Sequence, residues 1–404
     1  MEMPYKLEVL WCRTFQSVLK IGNYFMGYRM PKYLEGPGKI KELGTFLKEK
    51  GINDVLVVTG AGMVRRGQVQ PMLDGFDANG IRYTLQTYTT TDPTSDDVEL
   101  GYKTYKEHGC KSIVAIGGGS RIDCAKGIAA KVVHPRKTVA QLQGLLKVHW
   151  PIPPFVAIPT TSGAGSEVTN FAVITHDGVK TPLVDDALQP DMAILDGALL
   201  QNLPKSLIAD AGFDVLAHAL EAAVAKNAGG ISGALARWAF STGCEMLPRS
   251  FEGDLSARLG MHQAATAAAM AFSSAGLGLC HALSHSLGGL YHIPHGRLNA
   301  ILLPAVIGAN SGWGNYAPIA RSSGMGGAAD AMAVRSLKSG LISLRKRLRL
   351  PSTLTQAGVS AARLRTDTPA IIRGTLSDPC CSTNPRPVDE QLIRGILKEV
   401  SGAV

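Results

Sequence analysis

The sequence predicts two domains: an α/β domain on a parallel sheet over residues 1–203, then an all-helical domain over residues 204–404. Three observations predict this. Short apolar strands alternate with helical segments as far as Leu195, the pattern of βαβ units. From Leu203 onward the strand signals stop and helical periodicity takes over. At 404 residues the chain also exceeds the length at which a single core keeps growing.

Taken in order, residues 1–30 read as an amphipathic lead-in without the small-residue cleavage site of a secretory signal. Lys39 to Lys50 spaces Ile40, Leu43 and Leu47 as a helix, after the turn Gly36-Pro37-Gly38. Val55 to Val58 is a strand that ends at Thr59-Gly60. Arg82 to Tyr88 is a second, and Asp96 to His108 a helix capped by Thr94 and Ser95. Ser112 to Ile116, Phe155 to Ile158, Asn170 to Thr175 and Met192 to Leu195 supply further strands.

Two loops in this half suit a nucleotide. Gly117, Gly118, Gly119 and Ser120 follow a strand and open a helix that carries Asp123 and Lys126. Bare backbone there allows close approach, and the amide end of the helix attracts the oxygens of a pyrophosphate. The second loop, Pro159 to Glu167, holds Thr160, Thr161 and Ser166 among glycines, and its hydroxyls suit phosphate, ribose or nicotinamide. Read alone, Lys180 is a surface charge.

The helical half is organised around two helices. Asp214 and His218 stand four residues apart, as do His281 and His285, so each pair occupies one helical face. Gly288-Gly289 ends the second helix, and Pro294 resets the chain so that His295 returns toward the same point. One carboxylate and three imidazoles, from Asp214, His218, His281 and His295, suit Fe(II), Zn(II), Mn(II) or Co(II) better than Ca(II) or Mg(II).

Composition excludes other classes. An apolar content of 45% with 18% charged residues describes a soluble globular protein. The net charge of +9 has one dense basic run, Arg345 to Arg349, which reads as a solvated helix face; a nucleic-acid partner is not expected. No apolar run reaches membrane-spanning length, and seven scattered cysteines without CxxC spacing read as reduced thiols of a cytoplasmic protein.

The motifs GGGSRIDCAKG, PTTSGAGSEVT, GFDVLAHALEA, the stretch His281 to Gly296 and DPCCSTNPRP, in this order, resemble the iron-containing, or group III, alcohol dehydrogenase family. The resemblance implies a dinucleotide-binding α/β domain and an all-helical metal-binding domain. It places Asp214, His218, His281 and His295 on the metal-ligand positions, and His285 on a histidine that relays protons beside the nicotinamide. Gly118, Gly119, Ser120 and Asp123 fall on its pyrophosphate loop, and Thr160, Thr161 and Lys180 on further cofactor contacts. The implied activity is hydride transfer between NAD or NADP and a small aldehyde or alcohol, by a homodimer. Readings kept beside it are a polyol oxidoreductase of the glycerol dehydrogenase type and a non-catalytic nucleotide sensor.

Three departures from the family pattern carry expectations. Gly60 stands where NAD-preferring members carry an acidic residue after the first strand, so the carboxylate that would repel a 2'-phosphate is missing and NADPH is expected to be accepted, NADP being favoured over NAD, with Arg65 or Arg66 as helpers. Arg121 replaces a proline common in the glycine loop. Arg297, directly after Pro294-His295-Gly296, is expected either to favour a carboxylate-, phosphate- or phosphonate-bearing aldehyde or to sit in an internal ion pair.

Overall fold

The computed structural model describes residues 29–88 and 92–402, so the expected lead-in falls outside it but for its last two residues. The chain parts into two compact units between Asn202 and Leu203. Among the described residues no single helix is long and apolar enough to cross a membrane.

The first unit is built on β1 (Lys32–Glu35), α1 (Leu43–Glu49), β2 (Asp54–Gly60), α2 (Ala61–Arg65), α3 (Gln70–Asn79), β3 (Arg82–Tyr88), α4 (Ser95–Glu107), β4 (Ser112–Gly117) and α5 (Gly119–Val133). After these come α6 (Val139–Leu142), β5 (Gly144–Leu145), β6 (Phe155–Pro159), β7 (Phe171–His176), β8 (Val179–Val184) and β9 (Met192–Leu195). The main sheet has six strands in the order β1-β9-β6-β4-β2-β3, paired in parallel throughout. β2, β4 and β6 read as continuous apolar runs because both faces are covered. Leu56 and Val58 enter one core with Ile122 and Ile128, while Val55 and Val57 enter the other with Met72 and Phe76. The edge strands β1 and β3 mix exposed and covered positions, as edges require.

Three details of this unit differ from the sequence reading, and in the helical unit Gly288-Gly289 does not end its helix, which runs on to Tyr291. Residues 170–175 do form a strand, but it leaves the parallel sheet: β7 pairs antiparallel with β8, and β5 completes a separate three-stranded sheet. The reason is the tight Asp177-Gly178 turn, both residues at positive φ, which folds β7 back on its neighbour before a crossover can form. The helix expected over 39–50 begins as a 3-10 turn, Lys39–Glu42, anchored by Asp196 accepting from the Gly38 and Ile40 amides. At α4 Thr94 alone is the N-cap, in a reciprocal capping box with Asp97, and Ser95 is the first helical residue.

The second unit is helical: α7 (Lys205–Val224), α8 (Gly230–Glu252), α9 (Leu255–Ala275), α10 (Leu279–Tyr291), α11 (His295–Asn310), α12 (Ala317–Ser322), α13 (Asp330–Arg347), α14 (Ala361–Ser377) and α15 (Glu390–Val400). One core runs through it, including Phe213, Leu216, Phe240, Leu283 and Ile301. Glycine sets the closest approach. A Cβ at Gly296 would lie 1.6 Å from the Asp210 carbonyl oxygen, so the first turn of α11 presses directly on the α7 backbone. The DPCCSTNPRP segment staples α10 in place: Thr383 donates to the Leu277 carbonyl at 2.6 Å, and Asn384 accepts from the Leu279 amide at 3.1 Å.

Candidate active site

In the α/β unit the chain runs from β2 outward to β3, then returns to the other side of β2 for β4 and β6. The topological switch point therefore lies between β2 and β4, and ligands of open α/β sheets bind outside the carboxyl ends of the strands there. Gly60 ends β2 and Gly117 ends β4. Gly118 is the N-cap of α5 with extended backbone and no side-chain cap, so the first amides of that helix have no intrahelical partner and no competing hydroxyl.

The second loop closes on the first. Thr160 donates its amide to the Gly117 carbonyl at 2.9 Å. A Cβ at Gly119 would meet the Ala164 Cβ at 2.9 Å and the Ser166 Oγ at 3.0 Å, and one at Gly118 the Thr161 Oγ1 at 3.4 Å. The expected residues Gly117, Gly118, Gly119, Thr160, Thr161 and Ser166 are thus brought together. Ser120 is the second residue of α5.

Asp123 has an internal partner as well as an oxygen to spare, its Oδ1 being buried without a hydrogen-bond partner. It is buried in α5, and its Oδ2 accepts the Val173 amide at 3.0 Å, bracing β7. Lys126, three residues on, is fully buried and donates to the Thr169 carbonyl at 2.6 Å, the Thr169 hydroxyl at 3.0 Å and the Phe171 carbonyl at 2.9 Å. These two charges tie the helix behind the glycine turn to the far end of the second loop. Lys180 stands half-exposed on β8, its ammonium paired with Asp92 at 2.8 Å. Arg121 is buried, its guanidinium 5.5 Å from the Tyr88 ring centroid and its Nη1 without a hydrogen-bond partner. Arg66 folds back over the turn after β2, its Nη1 3.0 Å from where a Cβ on Gly62 would stand.

In the helical unit Asp214, His218 and His281 converge: one potential ligand atom from each lies within 4.8 Å of the others. The His218 and His281 rings stack with centroids 4.4 Å apart, and His281 Nε2 is 3.7 Å from Asp214 Oδ1. His218 Nδ1 is buried and has no hydrogen-bond partner, the orphan that a bound cation or its water would explain. His295, expected as the fourth ligand, stands outside the convergent trio; its ring centroid lies 5.0 Å from that of His285. It opens α11 immediately after Pro294, so its place is set by a helix start rather than by a one-turn repeat on a shared face.

Burial and charge pull in opposite directions here. Burial alone would raise the Asp214 pKa, but the neighbouring imidazoles of His218, His281 and His295 hold it well below the usual carboxylate range. His218 is pushed down by burial, so it is neutral and keeps a lone pair to offer. His281 is raised in spite of burial, because it bonds to Asp214 and Glu221.

Glu221 and Asn299 were missed in the sequence reading. The Glu221 carboxylate accepts the Cys280 amide at 2.7 Å through Oε1 and the His281 Nδ1 proton at 2.6 Å through Oε2. That holds the Nδ1 proton in place, so Nε2 is the nitrogen turned toward Asp214 and the one that would offer a lone pair to a metal once its own proton is displaced. The Asn299 amide donates to Asp214 Oδ1 at 2.8 Å and approaches His281 Nε2 at 3.3 Å. Both were within reach of the spacing argument: Glu221 continues the face of Asp214 and His218 at i+7, and Asn299 follows His295 at i+4.

His285 lies on α10, 40% exposed, and gives its Nδ1 proton to Asp378 Oδ2 at 2.6 Å. Arg297 resolves as an internal pair: its Nη2 and Nε reach the two oxygens of Asp210 at 2.8 and 3.1 Å. The bidentate geometry commits the Nε–Nη2 edge of the guanidinium to Asp210 and offsets part of its charge.

An open parallel sheet with a glycine turn at its switch point, joined in one chain to a helical unit with a carboxylate and imidazole centre, defines a nucleotide-linked oxidoreductase of two domains. The profile of the iron-containing alcohol dehydrogenases matches residues 31–197, and that of the C-terminal part of the Fe-containing alcohol dehydrogenase family matches residues 208–401. The chain belongs to the iron-containing alcohol dehydrogenase family. It is 35% identical to the NADPH-dependent butanol dehydrogenase of Clostridium saccharobutylicum, over 92% of this chain and 97% of that one. It is 34% identical to the NAD-dependent methanol dehydrogenase of Bacillus methanolicus, over 93% and 99%. Among solved structures a 1,3-propanediol oxidoreductase superposes with a TM-score of 0.88 at 32% identity, covering 93% of this chain and all, 100%, of that one.

Proposed function

We propose that this protein is an iron-dependent alcohol dehydrogenase that interconverts a short, neutral aldehyde and its primary alcohol, with NADPH accepted as the hydride carrier. The observation that carries the reading is the convergence of Asp214, His218 and His281, with the His281 Nδ1 proton locked on Glu221. Relatives named for butanol and methanol support the substrate class. The bidentate Arg297–Asp210 pair supports neutrality of the substrate. Gly60 in place of an acidic residue, with Arg66 folded over the turn that follows, supports tolerance of a 2'-phosphate.

Asp214, His218 and His281 are the residues that would hold the metal, with His295, outside that trio, as the expected fourth ligand, and the donor set fits a borderline divalent ion. The ion supplies a Lewis acid for the substrate oxygen. The chain's own residues do the rest. Glu221 holds His281 in the tautomer that presents Nε2, and Asn299 steadies Asp214 Oδ1. Asp378 accepts a hydrogen bond from His285 Nδ1–H, which keeps that proton in place, so Nε2 is the atom that can take up or release a proton. The partial exposure of His285 lets that proton exchange with water. The amide end of α5 and the hydroxyls of Thr160, Thr161 and Ser166 would hold the pyrophosphate and ribose of the cofactor.

The test is chelator-stripped protein restored with each divalent metal in turn, assayed for oxidation of NADH and NADPH against butanal and against a carboxylate-bearing aldehyde of equal length. Turnover only after restoration, with NADPH used and the neutral aldehyde preferred, is the expected result. Undiminished turnover in metal-free protein refutes the mechanism, and preference for the charged aldehyde refutes the substrate assignment.

A further inference from the structure

We propose a second cation site in the helical unit: His285, Asp378 and Cys380 form a seat for a zinc-class divalent ion, and an ion bound there inhibits the enzyme by withdrawing His285 from proton transfer. One potential ligand atom from each of the three side chains lies within 4.8 Å of the others. The set shares no residue with Asp214, His218 and His281, although the His281 and His285 rings are edge to face with centroids 6.2 Å apart.

Two elements build this seat. His285 comes from the side of α10; Asp378 closes α14, and Cys380 sits in the 3-10 turn that follows. Asp378 organises the group. Its Oδ1 accepts the Cys380 amide at 2.8 Å, which holds the turn and sets the thiol beside the carboxylate, while its Oδ2 receives the His285 Nδ1 proton. The adjacent Cys381 is outside the set: its buried thiol donates to the Thr375 carbonyl at 3.0 Å.

The donors are one imidazole nitrogen, one carboxylate oxygen and one sulfur. Sulfur with imidazole selects zinc or cadmium over magnesium and calcium, and three protein ligands leave a position for water. The inner trio contains no sulfur, so a thiophilic ion is directed to the outer set. Burial first, and then the nearby carboxylates of Asp378 and Glu221, raise the Cys380 thiol well above its ordinary pKa. The same negative field that keeps the thiol protonated attracts a dication, and binding exchanges one for the other: the ion enters, the S–H proton leaves to water, the neutral imidazole carries its single proton on the nitrogen that faces away from the ion, and sulfur, imidazole nitrogen and carboxylate oxygen bond the metal. His285 is partly exposed and gives the ion a way in from solvent.

The inhibitory half rests on the role proposed above for His285; the binding half does not, and the two are read separately. Iron-loaded enzyme is titrated with Cd2+ while the ultraviolet cadmium–thiolate charge-transfer band and the iron content of the desalted protein are followed. One equivalent should produce the band with iron retained; Cys380→Ser should lose it, and Cys381→Ser should keep it. No band in the wild type, the same band in Cys380→Ser, or cadmium uptake matched by iron loss overturns the site. Zn2+ should inhibit wild-type turnover at concentrations that spare Cys380→Ser, whose basal turnover is unchanged. Equal inhibition of the two proteins overturns the regulatory role.

Discussion

Replacing Glu221 by Gln should weaken the metal centre without touching a ligand. The buried carboxylate accepts three hydrogen bonds, from the Cys280 amide at 2.7 Å, the His281 amide at 3.3 Å and the His281 Nδ1–H at 2.6 Å. A carboxamide has one accepting oxygen and one donating nitrogen. If the oxygen stays on the Cys280 amide, the NH2 faces His281 Nδ1, and the imidazole must move its proton to Nε2, where it blocks the lone pair that faces Asp214. If the oxygen turns to Nδ1–H, the Cys280 amide at the start of α10 confronts a donor. Either way a buried group is left unsatisfied, at a cost of about 1–3 kcal/mol to the fold. Losses of metal affinity on removing such an orienting carboxylate run about 10- to 100-fold, or about 1.4–2.7 kcal/mol. The assay is chelator competition with Co(II) or Zn(II), at a temperature where metal-free wild type and variant are both folded by circular dichroism. Unchanged metal affinity in Glu221→Gln would refute the claim that Glu221 sets the His281 tautomer.

Three further outcomes are expected. Gly119→Ala puts a methyl 2.9 Å from the Ala164 Cβ and 3.0 Å from the Ser166 Oγ, so it should prise the two loops apart and weaken NADPH binding by fluorescence titration while metal content stays full. Arg297→Ala should lower the melting temperature, with about 1–3 kcal/mol lost for a part-buried bidentate pair, and leave the preference between neutral and anionic aldehydes unchanged; a changed preference would restore the anionic reading. Lys126 has a pKa lowered to about 8 by burial, against 10.5 in the unfolded chain. The folded state therefore binds fewer protons between these values, and stability attributable to this group rises with pH across that window, by about 3 kcal/mol at most. Urea unfolding of wild type and Lys126→Met at pH 8 and at pH 10 should show a rise in the wild type that the variant lacks; parallel profiles would contradict the burial of a charged ammonium.

Local signals made the parallel core readable. β2, β4 and β6 are buried on both faces, so apolar residues fill them apart from small hydroxyls such as Thr59 and Ser112, and each is bounded by glycine or proline. The antiparallel β7–β8 pair was not readable as separate, because period-2 alternation looks the same whichever sheet a strand joins; only the Asp177-Gly178 turn marked it. The centre divides in the same way. Asp214, His218 and His281 follow from one-turn spacing on two helices, while His295 depends on how a third helix begins, which no periodicity encodes. Arg297 and Asp123 show the limit most clearly. Each looked available for a ligand in the sequence, and folding gives each a partner 87 or 50 residues away, with only Asp123 Oδ1 left unpartnered. A charge in a motif is free to act only when folding gives it no internal counterpart. Glu221 meets the opposite case: a carboxylate that looked like one more polar position on α7 acquires its role because folding brings His281 from another helix to within 2.6 Å. The residues that carry the chemistry were legible by type and spacing, whereas those that hold it in register required the fold.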